Sequence, residues 1–537
     1  MRNKIWLVSV VGGLLCSLAW YEKATGLIML TAFVPFLYIF QYSYNEKAGS
    51  SLVFLRVLPG FIIFNLLTIS WLRNASAAGA IYAVLAGAFL MSMVFWLSSV
   101  IYRRGTSFLG YASIITFWLM MEHLNNSVSI LTPWLNLGNA LGRDIFFIQW
   151  YDISGVAGGS LWILLVNIAL FFLLFSKEKV KRAYRVSLAA SLLIIILPVT
   201  FSLVKYFQRP EDLKSSEFVI VQPNIDPYKE KFSSLSFEEQ LSGMLEMAKI
   251  KAGKNTDWII LPETAIDDPF YEENVKNTSY YNMIDSFLIE FPSASLITGA
   301  TTMRSYHSSE TKRPVDSKRI DSSNVFYSLH NAAMHIIPGG DVEFYHKSKL
   351  VPGIEKKIRR LPGFLSDRLI PDLGGTMAGY SGQEERTVFM HPGDSSFVAP
   401  VICYESVYGD FVARYGRKGA DYIVIITNDG WWDNTQGYRQ HLMFARIRAI
   451  ENRMPVIRAA NTGISCFIDG RGNILKSAGW WEKSVMKQET GSGYNMSFYT
   501  RNGDYIYRFI TIFGVFVLVI TFVAAPIRKL RDPQNFE

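Results

Sequence analysis

Three residues of the chain have side chains that together could carry nucleophilic chemistry, and two of them, Glu263 and Cys403, follow runs of apolar residues. Glu263 comes after WIILP, Lys347 lies in YHKSKLVPGIE, and Cys403 ends FVAPVIC. A thiol attacks as its thiolate, so it needs a base to take its proton or a cation to lower its pKa. Glu263 has the chemistry of such a base, and Lys347 could stabilise both a thiolate and an oxyanion. Each signal alone is weak, because a lone cysteine is more often packing and a lysine is usually solvated.

The elements around these residues predict an α/β domain from Glu217 onward. Short β-branched runs bounded by turns predict buried strands at 218–225, 258–263, 295–300, 397–405, 421–430 and 455–463, with helices at 238–252 and 441–452. Apolar strands that alternate with helices indicate sheets covered by helices. Catalytic groups in such domains lie just past the carboxyl ends of strands, where Glu263, Cys403 and Asn428 are found. Asp429, at the end of a strand, and His441, at the expected start of a helix, are predicted to have structural roles.

The rest of the chain predicts a membrane bundle. Of the 537 residues, 50% are hydrophobic and 18% are charged. A helix needs about 20 mainly apolar residues to cross a bilayer. Eight stretches approach this length: 5–20, 25–42, 52–72, 78–102, 108–121, 156–175, 186–206 and 507–526. The fifth is the weakest, because it is short and ends in Glu122 and His123.

The net charge of +8 belongs largely to basic clusters beside these apolar stretches. The clusters are Arg2 and Lys4, Arg103 and Arg104, the five basic residues within 177–185, and the three within 528–531. Basic residues concentrate on the cytoplasmic side, so an inside N-terminus places all four clusters in the cytoplasm and residues 206–507 outside it. The first stretch also resembles a signal peptide, but its cleavage would not change the orientation of the rest. No basic stripe with interleaved aromatic residues favours nucleic-acid binding.

The number of cysteines and the loop sequences limit the disulfide, metal and nucleotide chemistry that we expect. Three cysteines, Cys16, Cys403 and Cys466, do not make a disulfide framework, and Cys466 is predicted to be core. The sequence has no metal-ligand spacing and no phosphate-binding glycine loop, so we expect neither a metal nor another cofactor. The loop TPWLNLGNALG predicts an interfacial or re-entrant element containing Trp134. Its role is open between anchoring helix ends and binding lipid.

In their order along the chain, the motifs resemble a known family. LPET, KSKLVPGIE, ICYE and TNDGWW, followed by QHLMFARIRAIENRMPVIRAANTGIS, resemble the carbon–nitrogen hydrolase (nitrilase) superfamily, which has a Glu-Lys-Cys triad and an αββα sandwich fold. Seven apolar stretches before this domain and one after it narrow the resemblance to the membrane-embedded branch, the apolipoprotein N-acyltransferases. The resemblance implies that Glu263 is the general base, Lys347 the cationic stabiliser and Cys403 the nucleophile. Lys347 fits better than Lys349, because the family's lysine lies eight positions before the glutamate that matches Glu355.

The resemblance also implies supporting residues. Glu355 would position the lysine and the nucleophile, while Tyr404 and Glu405 match the residues after the nucleophile, Glu405 supporting the site by hydrogen bonding. Expected substrate contacts are Phe232, in place of a lid tryptophan, with Trp134, Asn428 and Trp431. The chain has Gly353-Ile354-Glu355 where the family commonly has Phe-Gly-Glu, so this loop is expected to have a different shape.

The function that the resemblance implies is acyl transfer in bacterial lipoprotein maturation. A membrane phospholipid would acylate Cys403, and the thioester would pass its acyl chain to the α-amine of a diacylglyceryl-modified cysteine on an apolipoprotein. We expect a bundle at 1–206, a catalytic domain at 214–495 facing the periplasm, a last span at 507–526 in the inner membrane, and a cytoplasmic tail at 527–537. One alternative is a membrane-tethered amidase that uses water as acceptor. Another is an inactive scaffold or transporter, against which the intact triad and the scarcity of intramembrane charge pairs speak.

Overall fold

The computed structural model describes residues 4–128, 131–175, 181–208, 214–231, 236–308, 310, 313–314, 316–320, 324–356, 379–492 and 496–524. The chain divides into two compact units. The first comprises Met1–Ser70, Ala80–Phe207 and Asp504–Glu537, and the second comprises Trp71–Gly79 and Gln208–Gly503.

The α-helices of the described residues number fourteen in chain order. They are α1 (Ile5–Leu18), α2 (Met29–Ala32), α3 (Val34–Asn45), α4 (Ser50–Ile69), α5 (Ala77–Arg104), α6 (Ser107–Ser127), α7 (Tyr151–Phe175), α8 (Lys181–Phe207), α9 (Phe237–Lys249), α10 (Ser279–Ile289), α11 (Gly409–Arg417), α12 (Gln436–Asn452), α13 (Phe498–Asn502) and α14 (Tyr505–Val519). Helices α1 to α8 and α14 lie mainly in the first unit, and the others lie in the second.

Six helical segments in the described part of the chain are long and apolar enough to cross a membrane. They are Gly26–Asn45, Ser50–Asn74, Ala77–Arg104, Tyr151–Phe175, Leu188–Phe207 and Tyr505–Phe522. Each corresponds to one of the eight predicted stretches. The two remaining predicted stretches are also helical, but α1 has only 14 residues and α6 is not among the six. The helical membrane bundle is confirmed.

Helix α6 is longer than the sequence predicts, because its acidic residue has partners. Glu122 is fully buried. Its carboxylate accepts hydrogen bonds from Trp118 Nε1 at 3.1 Å, from the Leu137 backbone nitrogen at 2.7 Å and from the Tyr507 hydroxyl at 2.7 Å. A carboxyl group in an apolar bundle is tolerated when donors surround it. The helix therefore continues past Glu122 to Ser127.

The second unit contains two sheets. Their strands are β1 (Lys214–Gln222), β2 (Trp258–Ile260), β3 (Ile266–Tyr271), β4 (Ser295–His307), β5 (Lys318–Arg319), β6 (Val325–Ile336), β7 (Val342–His346), β8 (Phe389–Met390), β9 (Phe397–Ile402), β10 (Tyr422–Thr427), β11 (Val456–Ala460), β12 (Cys466–Ile468), β13 (Ile474–Ser477) and β14 (Ser484–Ser492). The first sheet has the order β14-β1-β2-β4-β6-β5, with β3 beside β4 and β7 beside β6. The second has the order β13-β12-β11-β10-β9-β8.

The two sheets pack face to face, and helices cover their outer faces. The Phe218 and Tyr422 rings, one from each sheet, lie 5.0 Å apart, and Trp258 Nε1 donates to Ser396 Oγ at 3.1 Å. Helices α9 and α10 bury an apolar core against the first sheet, and α11 and α12 pack on the second. This is the predicted αββα sandwich, and all six predicted strands are present. Strands that are apolar along their whole length need both faces buried, and the second sheet and the covering helices bury them.

The predicted start of one helix is wrong. Helix α12 begins at Gln436, five residues before His441, because the Thr435 side chain caps it by accepting from the Gly437 nitrogen. A threonine at this position satisfies a donor that the first turn leaves unpaired. His441 therefore lies inside the helix, where it is fully buried.

Candidate active site

Glu263 follows β2 and is almost completely buried. Its Oε1 accepts from Lys347 Nζ at 2.9 Å and from Asn331 Nδ2 at 2.8 Å, while its Oε2 accepts from the Asn428 backbone nitrogen at 3.1 Å. Gly299 on β4 permits this placement. A Cβ at Gly299 would lie 2.4 Å from the Thr264 nitrogen and 2.6 Å from the Glu263 Cα, so any larger residue would displace the carboxylate.

Lys347 follows β7, and its ammonium lies between two carboxylates. Nζ is 2.9 Å from Glu263 Oε1 and 2.8 Å from Glu355 Oε1. Burial alone would lower the pKa of Lys347, but Glu263 and Glu355 outweigh it and hold the pKa well above its usual value. Lys347 is therefore a fixed cation at the centre of the site.

Asn331 on β6 completes this cluster and is not among the residues predicted from the sequence. Its Nδ2 donates to Glu263 Oε1 at 2.8 Å and to Glu355 Oε1 at 3.0 Å. The Lys347 nitrogen donates to the Asn331 carbonyl at 2.8 Å, so the two residues are neighbours across the sheet. The available signal was one asparagine in the otherwise apolar run NAAM.

Glu355 is held in place by its own loop. Its Oε2 accepts from the Val351 nitrogen at 2.8 Å, and its Oε1 receives both Lys347 and Asn331. Gly353 has φ +78°, a left-handed conformation that glycine adopts without strain. This loop has Gly353-Ile354-Glu355 where the family commonly has Phe-Gly-Glu, yet it still brings Glu355 to Lys347.

Cys403 lies where β9 ends and a 3-10 turn, Cys403–Val407, begins. Its φ is +49°, which is uncommon for a residue with a Cβ. Burial raises the pKa of the Cys403 thiol well above its usual value, the carboxylate of Glu263 raises it further, and Lys347 opposes both. The thiol therefore lies within the field of the two charged groups and is protonated at rest.

Glu405 joins the turn of the nucleophile to the loop of the lysine. Its Oε1 accepts from the Tyr345 hydroxyl at 2.7 Å and from the Ser348 nitrogen at 2.6 Å, and its Oε2 accepts from the Ile402 nitrogen at 2.8 Å. Burial raises the pKa of Glu405, although these donors favour its charged form. The carboxyl group thereby links β7 and its loop to the end of β9.

The remaining predicted residues of this unit are Tyr404, Asn428 and Trp431. The Tyr404 hydroxyl accepts from the Tyr408 hydroxyl at 3.1 Å. Asn428 reaches Glu263 through its backbone, and its side-chain Nδ2 is buried with no partner among the described residues. Trp431 is partly exposed, and its ring meets the Tyr228 ring edge-on at 5.2 Å.

Two predicted lipid contacts do not belong to the described part of the second unit. Trp134 belongs to the other compact unit, where it is buried in a 3-10 helix, Pro133–Leu135. Phe232 lies outside the described residues.

A small cavity, with room for about one water molecule, borders Glu263. Lys231, one of its lining residues, is buried, pairs with Asp267 at 3.0 Å and donates to Thr264 Oγ1 at 2.6 Å. Because Lys231 is already paired, its positive charge is largely neutralised. The cavity gives the base open space on one side.

Elsewhere in the described part of the second unit, Asp257, His391 and Asp394 lie close enough for a metal ion. Their atoms already have partners. His391 Nε2 contacts the Ser293 carbonyl at 2.9 Å, and Asp394 Oδ2 accepts from the Ser216 hydroxyl at 2.6 Å. Protein groups thus already satisfy this cluster, which is separate from Glu263 and Cys403.

Comparison with known proteins agrees with this architecture. The carbon–nitrogen hydrolase family model matches residues 220–490, and the model of the apolipoprotein N-acyltransferase N-terminal domain matches residues 12–169. The chain is 27% identical over 531 residues to an apolipoprotein N-acyltransferase of Chlorobaculum tepidum, with 97% of both chains covered. It is 27% identical over 416 residues to that of Geobacter metallireducens, covering 75% of this chain and 73% of the relative. Among solved structures, Nit3 of Saccharomyces cerevisiae, from branch 10 of the nitrilase superfamily, is 14% identical with a TM-score of 0.37, covering 53% of this chain and 93% of that chain.

The chain therefore belongs to the carbon–nitrogen hydrolase family, and within it to the membrane-embedded apolipoprotein N-acyltransferases. This confirms the resemblance that the motifs indicate. The chain is a membrane protein and an acyltransferase.

Proposed function

We propose that this acyltransferase moves an acyl chain from a membrane phospholipid to the α-amine of a diacylglyceryl-modified N-terminal cysteine on an apolipoprotein. The observation that carries the proposal is the buried cluster in which the Lys347 ammonium lies 2.9 Å from the Glu263 carboxylate, with both charges acting on the Cys403 thiol. A base, a fixed cation and a nucleophile in one buried place are what covalent acyl transfer requires.

The first step acylates the nucleophile. Lys347 and Asn331 occupy Glu263 Oε1, and one backbone donor occupies Oε2, which leaves a lone pair of Oε2 to receive a proton. The proton passes from Cys403 Sγ to Glu263 as sulfur attacks the ester carbonyl carbon. A thiol with a raised pKa yields its proton only as the bond forms, so the base and the nucleophile act together.

The fixed cation then stabilises the charge that develops. Lys347 keeps its proton throughout, because two carboxylates hold its pKa high. Its ammonium stabilises the oxyanion of the tetrahedral intermediate. The carbon–oxygen bond of the ester breaks, protonated Glu263 gives its proton to the departing lysophospholipid oxygen, and a thioester remains on Cys403.

The second half-reaction uses the same groups. The free α-amine of the acceptor attacks the thioester carbonyl, and Glu263 takes a proton from the nitrogen. The carbon–sulfur bond breaks, and the Cys403 sulfur recovers the proton from Glu263.

Several residues support these steps. Glu355 holds the Lys347 ammonium, Asn331 donates to both carboxylates, and Glu405 fixes the two loops on which Lys347 and Cys403 lie. The unpartnered Asn428 Nδ2 is a donor for a polar group of the substrate, because a buried amide needs a partner. Partly exposed Trp431 is proposed to contact a lipid, as are Trp134 and Phe232. Tyr404, which directly follows the nucleophile, is proposed as a supporting residue.

The membrane helices fit substrates that are both lipid-anchored. The six long apolar helices among the described residues support a multi-pass protein, and the basic clusters favour an inside N-terminus. We accordingly assign the protein to the bacterial inner membrane, with the bundle at 1–206, the catalytic domain at 214–495 in the periplasm, the last span at 507–526 and the tail at 527–537 in the cytoplasm.

A matched pair of acceptor peptides tests the proposal. Purified protein is first charged with phospholipid and then given a diacylglyceryl-cysteine peptide with either a free or an acetylated α-amine. The free peptide should gain one acyl chain as an amide stable to hydroxylamine, and the blocked peptide should not. Steady release of free fatty acid at a rate that neither peptide changes would replace the transferase with a lipid hydrolase.

A further inference from the structure

The carbonyl of the nucleophile contacts a buried ionic cluster that the triad does not include. His441 on α12, Asp429 after β10 and Arg458 on β11 are all completely buried. An Arg458 guanidinium nitrogen pairs with Asp429 Oδ2, and His441 Nδ1 lies 2.9 Å from Asp429 Oδ1. The sequence predicts only a structural role for His441 and Asp429, but one atom of the histidine reaches Cys403.

The Cys403 carbonyl oxygen has two side-chain partners. His441 Nε2 lies 3.1 Å from it, and the Ser406 hydroxyl donates to it at 2.8 Å. His441 Nε2 also lies 2.8 Å from Ser406 Oγ. A Ser406 hydroxyl that donates to the carbonyl presents its oxygen to Nε2 as an acceptor.

His441 Nδ1 lies between the Asp429 carboxylate and an Arg458 guanidinium nitrogen at 3.1 Å, whereas Nε2 faces two oxygen atoms. Burial alone would raise the pKa of Asp429, but Arg458 and His441 hold it well below its usual value, so Asp429 is a carboxylate. A carbonyl oxygen only accepts, so the contact with Cys403 requires a hydrogen on Nε2, and His441 is its donor.

This contact acts on a strained residue. Cys403 has φ +49°, a conformation that persists only when the surroundings fix it. Two donors on its carbonyl fix the peptide that follows the nucleophile, and with it the direction of the thiol. The structure assigns His441 the role of a positioning residue: its Nε2 donates to the Cys403 carbonyl and holds the nucleophile in its left-handed conformation. The inference rests on the proposed function only in taking Cys403 as the reacting thiol.

Two substitutions of His441 test the contacts of Nδ1 and Nε2 separately. In His441→Gln the side-chain amide nitrogen reaches the place of Nε2, so the donor to Cys403 is retained and the contact with Asp429 is lost. In His441→Asn the amide nitrogen takes the place of Nδ1, so the contact with Asp429 is retained and the donor to Cys403 is lost. If His441 had only a structural role, loss of its contact with Asp429 would affect the protein at least as strongly as loss of its contact with Cys403.

The experiment measures iodoacetamide alkylation of Cys403 by intact mass, without lipid, with Cys403→Ala to identify the modified site. His441→Asn should slow alkylation by about 10²-fold, the scale of an ångström-level misplacement, and His441→Gln should stay within about 10-fold of the parent. In the lipid assay His441→Asn should lower kcat and leave KM unchanged. Equal rates for the two variants, or a slower folded His441→Gln, would overturn the inference. If His441→Asn does not melt cooperatively, the rate of folded His441→Gln decides alone.

The alkylation readout keeps the two proposals separate. If the lipid assay shows no acyl transfer in the parent protein but the alkylation rates still differ as expected, the proposed function fails and the positioning role stands. If transfer is normal in His441→Asn, the positioning role fails and the function stands.

Discussion

The ammonium of Lys347 lies 2.9 Å from the carboxylate of Glu263, and only 2% and 8% of the two side chains are exposed. An isolated buried charge is costly, so each of these groups depends on the other. Glu355 adds a second carboxylate at 2.8 Å from the same ammonium. The three groups carry one positive and two negative charges, and Asn331 bridges the two carboxylates.

Replacing the cation should therefore affect both rate and stability. Lys347→Met should lower the rate of acylation at least ~10²-fold by removing the oxyanion's cation. It should also lower the free energy of unfolding by about 3–5 kcal/mol, because two buried carboxylates lose their partner. Lys349→Met is the matched control, since Lys349 Nζ lies over the Tyr408 ring at 4.7 Å from its centroid and touches neither carboxylate. Acylation kinetics and thermal melting check both variants, and full activity in Lys347→Met with loss in Lys349→Met would show that the other lysine is the catalytic one.

Asn331 offers a test that the sequence did not suggest. Asn331→Asp keeps the shape but places a third carboxylate within hydrogen-bonding distance of Glu263 and Glu355, so activity and stability should both fall steeply. Asn331→Ala removes two hydrogen bonds to charged groups, each worth about 1.5–3 kcal/mol, and should be the milder change. The measurements are kcat and the melting temperature. An aspartate variant as active as the alanine variant would show that the amide does not bridge charged carboxylates.

Much of this architecture follows from the sequence, and the exceptions have physical causes. Apolar strands followed by polar residues predict where Glu263 and Cys403 lie, because only the strand ends are open to a substrate. Asn331 was missed because its role depends on two carboxylates brought together by residues distant along the chain. The length of α6 was missed because the donors that satisfy Glu122 include Tyr507, 385 residues away. The sequence pattern around a residue does not show partners that lie far away along the chain.

A buried histidine beside the site should make folding sensitive to acid. Burial, and the ring of His346 stacked at 3.8 Å, lower the pKa of His330 to about 3. The unfolded chain, with a histidine pKa near ~6.5, binds more protons between these values, so stability falls as pH drops from about 6.5 to 3. The full effect is on the order of 5 kcal/mol, at about 1.4 kcal/mol per pKa unit. In chemical denaturation followed at several pH values, His330→Asn should flatten this dependence, whereas substitution of exposed His307 should leave it unchanged.

Reporter fusions test the orientation. Fusions after Arg104 and Lys181 should behave as cytoplasmic, because basic residues are retained on that side. Fusions at Ser308 and Ser381, which lie in the catalytic unit, should behave as periplasmic. A cytoplasmic signal at Ser308 would place the site on the wrong side for mature lipoprotein substrates.

The mass of the intact protein after incubation with phospholipid alone tests the central claim most directly. The protein should release about one equivalent of lysophospholipid and stop, because water is a poor acceptor for a transferase. Its mass should rise by one acyl chain, which hydroxylamine removes. Cys466→Ala and Cys16→Ala should acquire the same adduct, since both thiols are fully buried, and Cys403→Ala should acquire none. An unchanged mass in the parent protein, or an adduct that persists in Cys403→Ala, would contradict a thioester on Cys403.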